Sequence, residues 1–179
     1  HLISMPTLGH YFYENDLLGS DLVVVAPDHA SVGRARKFAK LLHAEWAVID
    51  RRVGEDLQTA PFGITGNVQG KRAILIDDII DTGTSMTLAS EALTAAGVTD
   101  IYAVAPHAVL SEQAVDKLAK SAISKTLVAN TIEVPDDKRF DKLVQLSVAA
   151  TFAEAIRRVD ACESIEDIMR SPDNLDVKL

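Results

Sequence analysis

Short runs of β-branched residues alternate along the chain with longer segments of helical period. Leu22-Val23-Val24-Val25-Ala26 is apolar at every position, the pattern of a strand covered on both faces in a parallel sheet. Over residues 31–43, Val32, Ala35, Phe38, Ala39 and Leu42 share one face while Arg34, Lys37 and Lys40 lie elsewhere, which predicts an amphipathic helix. Residues 46–49 and 73–76 read as the second and third strands, and 85–96 as a helix closed by Gly97 at a C′ position. A fourth strand is expected at 101–105, a helix at 112–120, a fifth strand at 126–129, a short final strand at 142–148 and a final helix at 149–159. This alternation predicts right-handed crossovers and a mostly parallel sheet flanked by helices on both faces.

Two stretches break the rhythm. Residues 51–70 hold Gly54, Pro61, Gly63, Gly66 and Gly70, too long and glycine-rich for a simple connection, with a small hairpin expected around Val68. The polar tail at 171–179 is expected to fray. No repeat or linker interrupts the pattern, so 1–179 reads as one domain.

Composition narrows the function classes. The 179 residues are 47% apolar and 25% charged, a balance that supports a packed core. Eighteen basic against 26 acidic side chains give a net charge of −8, which argues against a nucleic-acid or anionic-membrane binder. The lone Cys162 excludes an internal disulfide and a cysteine-rich zinc site. No apolar run approaches the roughly 20 residues of a membrane span, and no secretory signal opens the chain. A cytoplasmic protein is expected. An anion would have to be held locally, by backbone N–H groups, a metal or a few arginines.

Open parallel sheets bind ligands at the carboxyl ends of their strands. After the third strand comes Asp77-Asp78-Ile79-Ile80-Asp81-Thr82-Gly83-Thr84-Ser85, running straight into a helix. Gly83 allows a tight turn, and N–H groups at a helix start favour negative charge, so the segment reads as a phosphate cradle with hydroxyl donors from Thr82, Thr84 and Ser85. The acidic pair before it would be repulsive unless it accepts hydrogen bonds from sugar hydroxyls or holds Mg²⁺ through water. The plainer reading makes Thr84 a helix N-cap and nothing more.

This order of strand, doubled acid and Thr-Gly-x-Ser/Thr resembles the phosphoribosyl pyrophosphate loop of the phosphoribosyltransferase fold. Over a wider window, Pro27-Asp28-His29-Ala30-Ser31-Val32-Gly33-Arg34-Ala35-Arg36-Lys37 is similar to the Pro-Asp-His-Gly-Gly-Val-x-Arg-Ala-Arg-Lys segment of ribose-phosphate pyrophosphokinases, the phosphoribosyl pyrophosphate synthetases. Residues 71–87, Thr131-Ile132 and 146–149 are similar too, and 1–12 resembles the segment leading into that family's second domain. The resemblance implies a type I phosphoribosyltransferase-like α/β domain, the C-terminal domain of a longer synthetase without its N-terminal nucleotide domain. A start at His1 then marks a fragment.

The same resemblance implies roles. Asp28 would associate with Mg²⁺ and His29 would contact nucleotide. Asp77 and Asp78 would take ribose hydroxyls, and Asp81, Thr82, Gly83, Thr84 and Ser85 the 5-phosphate. Gly83-Thr84 replace the family's Ala-Gly, which is closer to the general phosphoribosyltransferase loop. Arg51 stands at the position of the catalytic lysine in a Lys-Arg-Arg run, which here reads Arg51-Arg52-Val53, followed by acidic Glu55 and Asp56. Arginine keeps a charge able to stabilise a phosphoryl transition state but not the compact geometry of an ammonium.

The implied reaction is Mg-dependent transfer of the diphosphoryl group of ATP to ribose 5-phosphate, giving phosphoribosyl pyrophosphate and AMP. The implied partners are those metabolites and further copies of the chain, since members of the family form hexamers. The isolated chain is expected to be inactive. Two readings stay open beside this one: a phosphoribosyltransferase that uses phosphoribosyl pyrophosphate, and a non-catalytic synthetase paralogue, favoured by Arg51 and Val53.

Overall fold

The computed structural model describes residues 2–50, 63–166 and 168. Its frame is a seven-stranded sheet. The strands are β1 (Leu22–Ala26), β2 (Glu45–Asp50), β3 (Gly63–Thr65), β4 (Arg72–Ile76), β6 (Asp100–Ala105), β8 (Lys125–Ala129) and β9 (Leu143–Leu146). Two short strands, β5 (Ile79–Ile80) and β7 (His107–Ala108), pair with each other in a separate ribbon. The helices are α1 (Met5–Glu14), α2 (Val32–Leu41), α3 (Thr84–Ala95), α4 (Ala114–Lys120) and α5 (Ala149–Asp160).

The order β3-β2-β1-β4-β6-β8-β9 is parallel except for β3, which runs antiparallel to β2. The chain moves outward from β1 to β2 and β3, then returns to lay β4 on the other side of β1. That reversal is a topological switch point, and it opens a crevice between the carboxyl ends of β1 and β4.

The strands' continuous apolar runs have a direct cause. Val23, Val25, Ala73 and Leu75 pack with Met86 and Leu93 of α3 and Leu118 of α4. Val24, Ile74 and Ile76, on the alternate positions, pack with Leu8 and Phe12 of α1 and Phe38 of α2. Each face therefore has its own core. Phe12 meets Phe38 and Tyr102 edge-on, with centroids at 6.3 and 5.5 Å, and this clamps α1 to the sheet. Truncating such a ring to alanine costs about 3–5 kcal/mol. The fifth helix differs, for Phe152, Ile156 and Val159 are exposed along its apolar side.

The expected strands and helices all form, with ends shifted by at most two residues. The pattern did not predict α1, β3, β5 or β7. The hairpin expected around Val68 is displaced: β3 forms it with β2, and Val68 sits in the core at 5% exposure. Gly66 permits that approach, since a Cβ there would lie 2.6 Å from Cβ of Ala47. Arg51, Arg52, Val53, Glu55, Asp56 and the tail at 171–179 lie outside the described residues.

Candidate active site

The segment after β4 leaves the sheet through a backbone fixed on both sides. Asp77 N–H donates to the carbonyl of Val104 at 3.0 Å. The carbonyls of Asp78, Ile80 and Asp81 accept from the N–H groups of His107, Val109 and Ser111 at 3.1, 3.0 and 3.0 Å. The β5–β7 ribbon thus carries the acidic pair out of the sheet and delivers the next residues to the start of α3.

There Gly83 takes φ +72° and caps α3 through its backbone, not through a side chain. Thr84 is the first helical residue, so the plainer reading of Thr84 as N-cap does not hold. The left-handed backbone is open to glycine at no steric cost. Thr87 N–H is bonded to Gly83 O at 3.0 Å, while Thr84 N–H lies 3.5 Å from the hydroxyl of Thr82, the long limit of a hydrogen bond. No hydrogen bond engages the N–H groups of Ser85 and Met86 among the described residues. Free donors at a helix start suit an anion.

Lys117 of α4 adds a charge to this turn. Its Nζ donates to Oγ1 of Thr84 at 2.9 Å and to the carbonyl of Thr82 at 3.3 Å. Asp81 Oδ1 accepts from the hydroxyl of Ser111.

The acidic pair meets α2. Oδ1 of Asp77 accepts from Ser31 Oγ at 2.9 Å, from Arg34 Nη1 at 3.0 Å and from Asp78 N–H at 2.9 Å. Arg34 Nη2 reaches Oδ2 of Asp78 at 2.9 Å. Burial pushes the Asp77 carboxyl above the ordinary aspartate range, and the neighbouring Asp78 charge adds to that; Ser31, the Asp78 N–H and Arg34 pull the other way. The side chain of Asp77 is 18% exposed and that of Asp78 is 58% exposed, so neither points into a dry interior.

Asp28, at the end of β1, accepts from Ser31 N–H at 2.9 Å. Ser31 therefore touches Asp28 with its backbone and Asp77 with its hydroxyl. His29 is exposed beside them, its Nε2 3.1 Å from Oδ1 of Asp50 at the end of β2. Among the described residues no group of three or more His, Cys, Asp or Glu side chains is disposed to hold a metal ion.

A cleft of about 770 Å³ opens beside the pair, with Arg34, Asp78, His107 and Thr131 among apolar Met5, Ile79 and Phe152. Thr131 donates its hydroxyl proton to Pro106 O at 2.7 Å, so the 2.8 Å contact with His107 requires a proton on His107 Nδ1.

Ser31 and Arg34 thus join Asp28, after β1, to Asp77 and Asp78, after β4, in one network with His29 next to Asp28 in the chain, and the turn from Thr82 to Ser85 follows the acidic pair in sequence. Arg51 lies outside the described residues. Arg34 and Lys117 were not assigned from sequence. Arg34 sat in the motif at 27–37 but read as part of a basic helix, and Lys117 carried no local signal at all.

Comparison with known proteins places the chain in a family. Residues 53–170 match the family model described as the phosphoribosyl synthetase-associated domain. The ribose-phosphate pyrophosphokinase 1 of Lactococcus lactis is 46% identical over 160 residues, 89% of this chain and 49% of that protein. The crystal structure of phosphoribosylpyrophosphate synthetase from Mycobacterium smegmatis superposes with a TM-score of 0.79 at 35% identity, over 89% of this chain and 51% of that one. Orotate phosphoribosyltransferase from Aeropyrum pernix, at 20% identity and a TM-score of 0.55 over 86% of this chain and 74% of that one, shares the fold. The chain spans about half the length of the curated relatives it matches. With the motif at 77–85, the switch-point crevice and two-thirds of the sequence in the family match, the chain belongs to the phosphoribosyl pyrophosphate synthetase family, on a phosphoribosyltransferase-like α/β fold.

Proposed function

We propose that this chain, a single phosphoribosyltransferase-like domain over 1–179, supplies the ribose 5-phosphate half of a ribose-phosphate diphosphokinase site. The complete enzyme transfers the diphosphoryl group of ATP to the anomeric hydroxyl of ribose 5-phosphate, releasing AMP and phosphoribosyl pyrophosphate. The observation that carries this reading is the segment after β4, in which two carboxylates held by one arginine are followed within a few residues by unspent helix N–H groups behind Gly83. A phosphate needs the first and a vicinal diol the second.

Thr82, Gly83, Thr84 and Ser85 grip the 5-phosphate through N–H and hydroxyl donors, with the Lys117 ammonium offsetting its charge. Asp81 opens the 5-phosphate loop, its Oδ1 taking the hydroxyl of Ser111. Asp77 and Asp78 accept from the ribose hydroxyls and so fix the ring for in-line attack. His29, exposed at the crevice mouth, contacts nucleotide. Arg51 is assigned to the transferring group by its place in the motif.

Asp28 is the candidate Mg²⁺ residue. Its Oδ2 accepts no bond among the described residues, and Mg²⁺ is commonly held by one or two carboxylates together with substrate phosphates. A lone carboxylate therefore fits the ion in the presence of nucleotide, where the ion would offset charge on the transferred phosphates. Diphosphoryl transfer needs no strong general base from the chain, because positioning and electrostatics dominate such reactions.

The family relationship supports a homo-oligomer in the cytoplasm, and no helix among the described residues is long and apolar enough to cross a membrane. The chain alone, half the length of its relatives, binds sugar phosphate without turning it over. Isothermal calorimetry with ribose 5-phosphate and with ribose tests the assignment. A response to ribose 5-phosphate at least tenfold tighter supports it, whereas equal responses remove the phosphate site.

A further inference from the structure

Asp77 is held from one side only. Three donors converge on Oδ1, from Ser31, Arg34 and the Asp78 N–H, while Oδ2 accepts nothing among the described residues. The second nitrogen of Arg34 takes Oδ2 of Asp78 and leaves its Oδ1 equally unengaged. One planar guanidinium thus spans two adjacent carboxylates, and each keeps one oxygen uncommitted.

Ser31 is itself fixed. It is 2% exposed, and its N–H is spent on Asp28, so its hydroxyl has little freedom to leave Asp77. In the motif that 27–37 resembles, glycine stands at this place and has no hydroxyl to offer.

We infer that Ser31 and Arg34 are positioning residues that lock the rotation of the Asp77 and Asp78 carboxylates and present one free oxygen of each to the two vicinal hydroxyls of a ribose ring. This rests on the proposed ribose 5-phosphate site and adds the device that makes it selective for a diol. Carboxylate torsions are broad, and two neighbouring negative groups repel, so an unheld pair would have to be ordered and brought together at each binding event. The fork meets that cost during folding, which is preorganisation. A direct role for Arg34 on the phosphate is less economical, because it would break two ion pairs and expose the like charges of Asp77 and Asp78 to one another.

The test uses the 179-residue chain and its Ser31→Ala, Arg34→Gln and Arg34→Lys variants, titrated calorimetrically with ribose 5-phosphate, 2-deoxyribose 5-phosphate and orthophosphate. The parent chain should prefer ribose 5-phosphate over the deoxy sugar by about tenfold, the scale of one hydrogen bond to a charged group. Ser31→Ala and Arg34→Gln should bring the two sugars within about twofold of each other while orthophosphate affinity stays within about twofold of the parent. Arg34→Lys, which keeps the charge without the fork, should retain only part of the preference. An unchanged sugar preference in both Ser31→Ala and Arg34→Gln overturns the inference while leaving the ribose 5-phosphate site standing. Loss of orthophosphate binding in Arg34→Gln also overturns it, because Arg34 is then a phosphate ligand. A parent chain that binds no ribose 5-phosphate refutes the underlying site. Near-ultraviolet circular dichroism checks folding, and Ser31→Ala carries the test if an Arg34 variant unfolds.

Discussion

Lys117 on α4 donates to Thr84 at the start of α3 at 2.9 Å, although 33 positions separate the two residues. The contact brings a cation to a turn that already offers N–H donors, so it pre-sets the site for an anion. Lys117→Met should weaken orthophosphate and ribose 5-phosphate binding together, by about fivefold, or ~1 kcal/mol for a partly exposed charge. The loss should shrink as salt is raised. Calorimetry at two ionic strengths checks it; a loss confined to the sugar phosphate would show that Lys117 acts on the ring.

Gly83→Ala tests the backbone of the cradle. At φ +72° an L residue pays about 1–2 kcal/mol, and the new Cβ would sit 3.4 Å from Ala114 O and from Cγ of Leu118. Urea denaturation should register that destabilisation, and phosphate affinity should fall as the turn shifts. Unaltered stability would mean that the turn relaxes out of the left-handed region.

Thr126 poses the opposite case. Its Oγ1 is buried in β8 with no hydrogen-bond partner among the described residues. Removing an unsatisfied hydroxyl relieves a desolvation cost, so Thr126→Val should stabilise the fold by about 1 kcal/mol. A midpoint shifted downward in thermal melting would instead reveal a hydroxyl that has found a partner.

Tyr102 supplies a pH marker. Burial pushes its phenol from 10.0 up to about 12, helped by a hydrogen bond to Asp100 and that group's charge. The folded phenol therefore keeps its proton after the unfolded one has lost it. Stability from this group is full below pH 10 and is lost as the pH climbs toward about 12. Absorbance at about 295 nm, where ionised phenols absorb, should show one of the three tyrosines titrating late. Tyr102→Phe should remove that late step and flatten the alkaline loss of stability. A late step that survives the substitution would assign it to Tyr11 or Tyr13.

The sheet was legible because β1, β4 and β6 are buried on both faces and read as unbroken apolar runs. Short elements were not. Two residues each in β5 and β7 carry no period, and the three residues of β3 begin with Gly63 and are followed by Gly66. The first helix hid behind aromatics such as Phe12, whose burial depends on Phe38 and Tyr102 far along the chain. At the site, Asp77 through Ser85 could be read because they are contiguous. Arg34 and Lys117 could not, since their partners lie 43 and 33 positions away and only the closure of the sheet brings them together. Asp81 also has a partner its neighbours in sequence did not show, Ser111, 30 positions away.

The central claim is that the turn at the start of α3 holds the phosphoryl end of a sugar phosphate. Its most direct test is a ¹H–¹⁵N correlation spectrum of the chain recorded while ribose 5-phosphate is added. Saturable shifts should concentrate on the amides of Gly83, Thr84, Ser85 and Met86, with smaller ones at Ser31 and Asp78. Shifts that leave these amides in place and appear elsewhere, for example around Asn130 and Gln145, would contradict it.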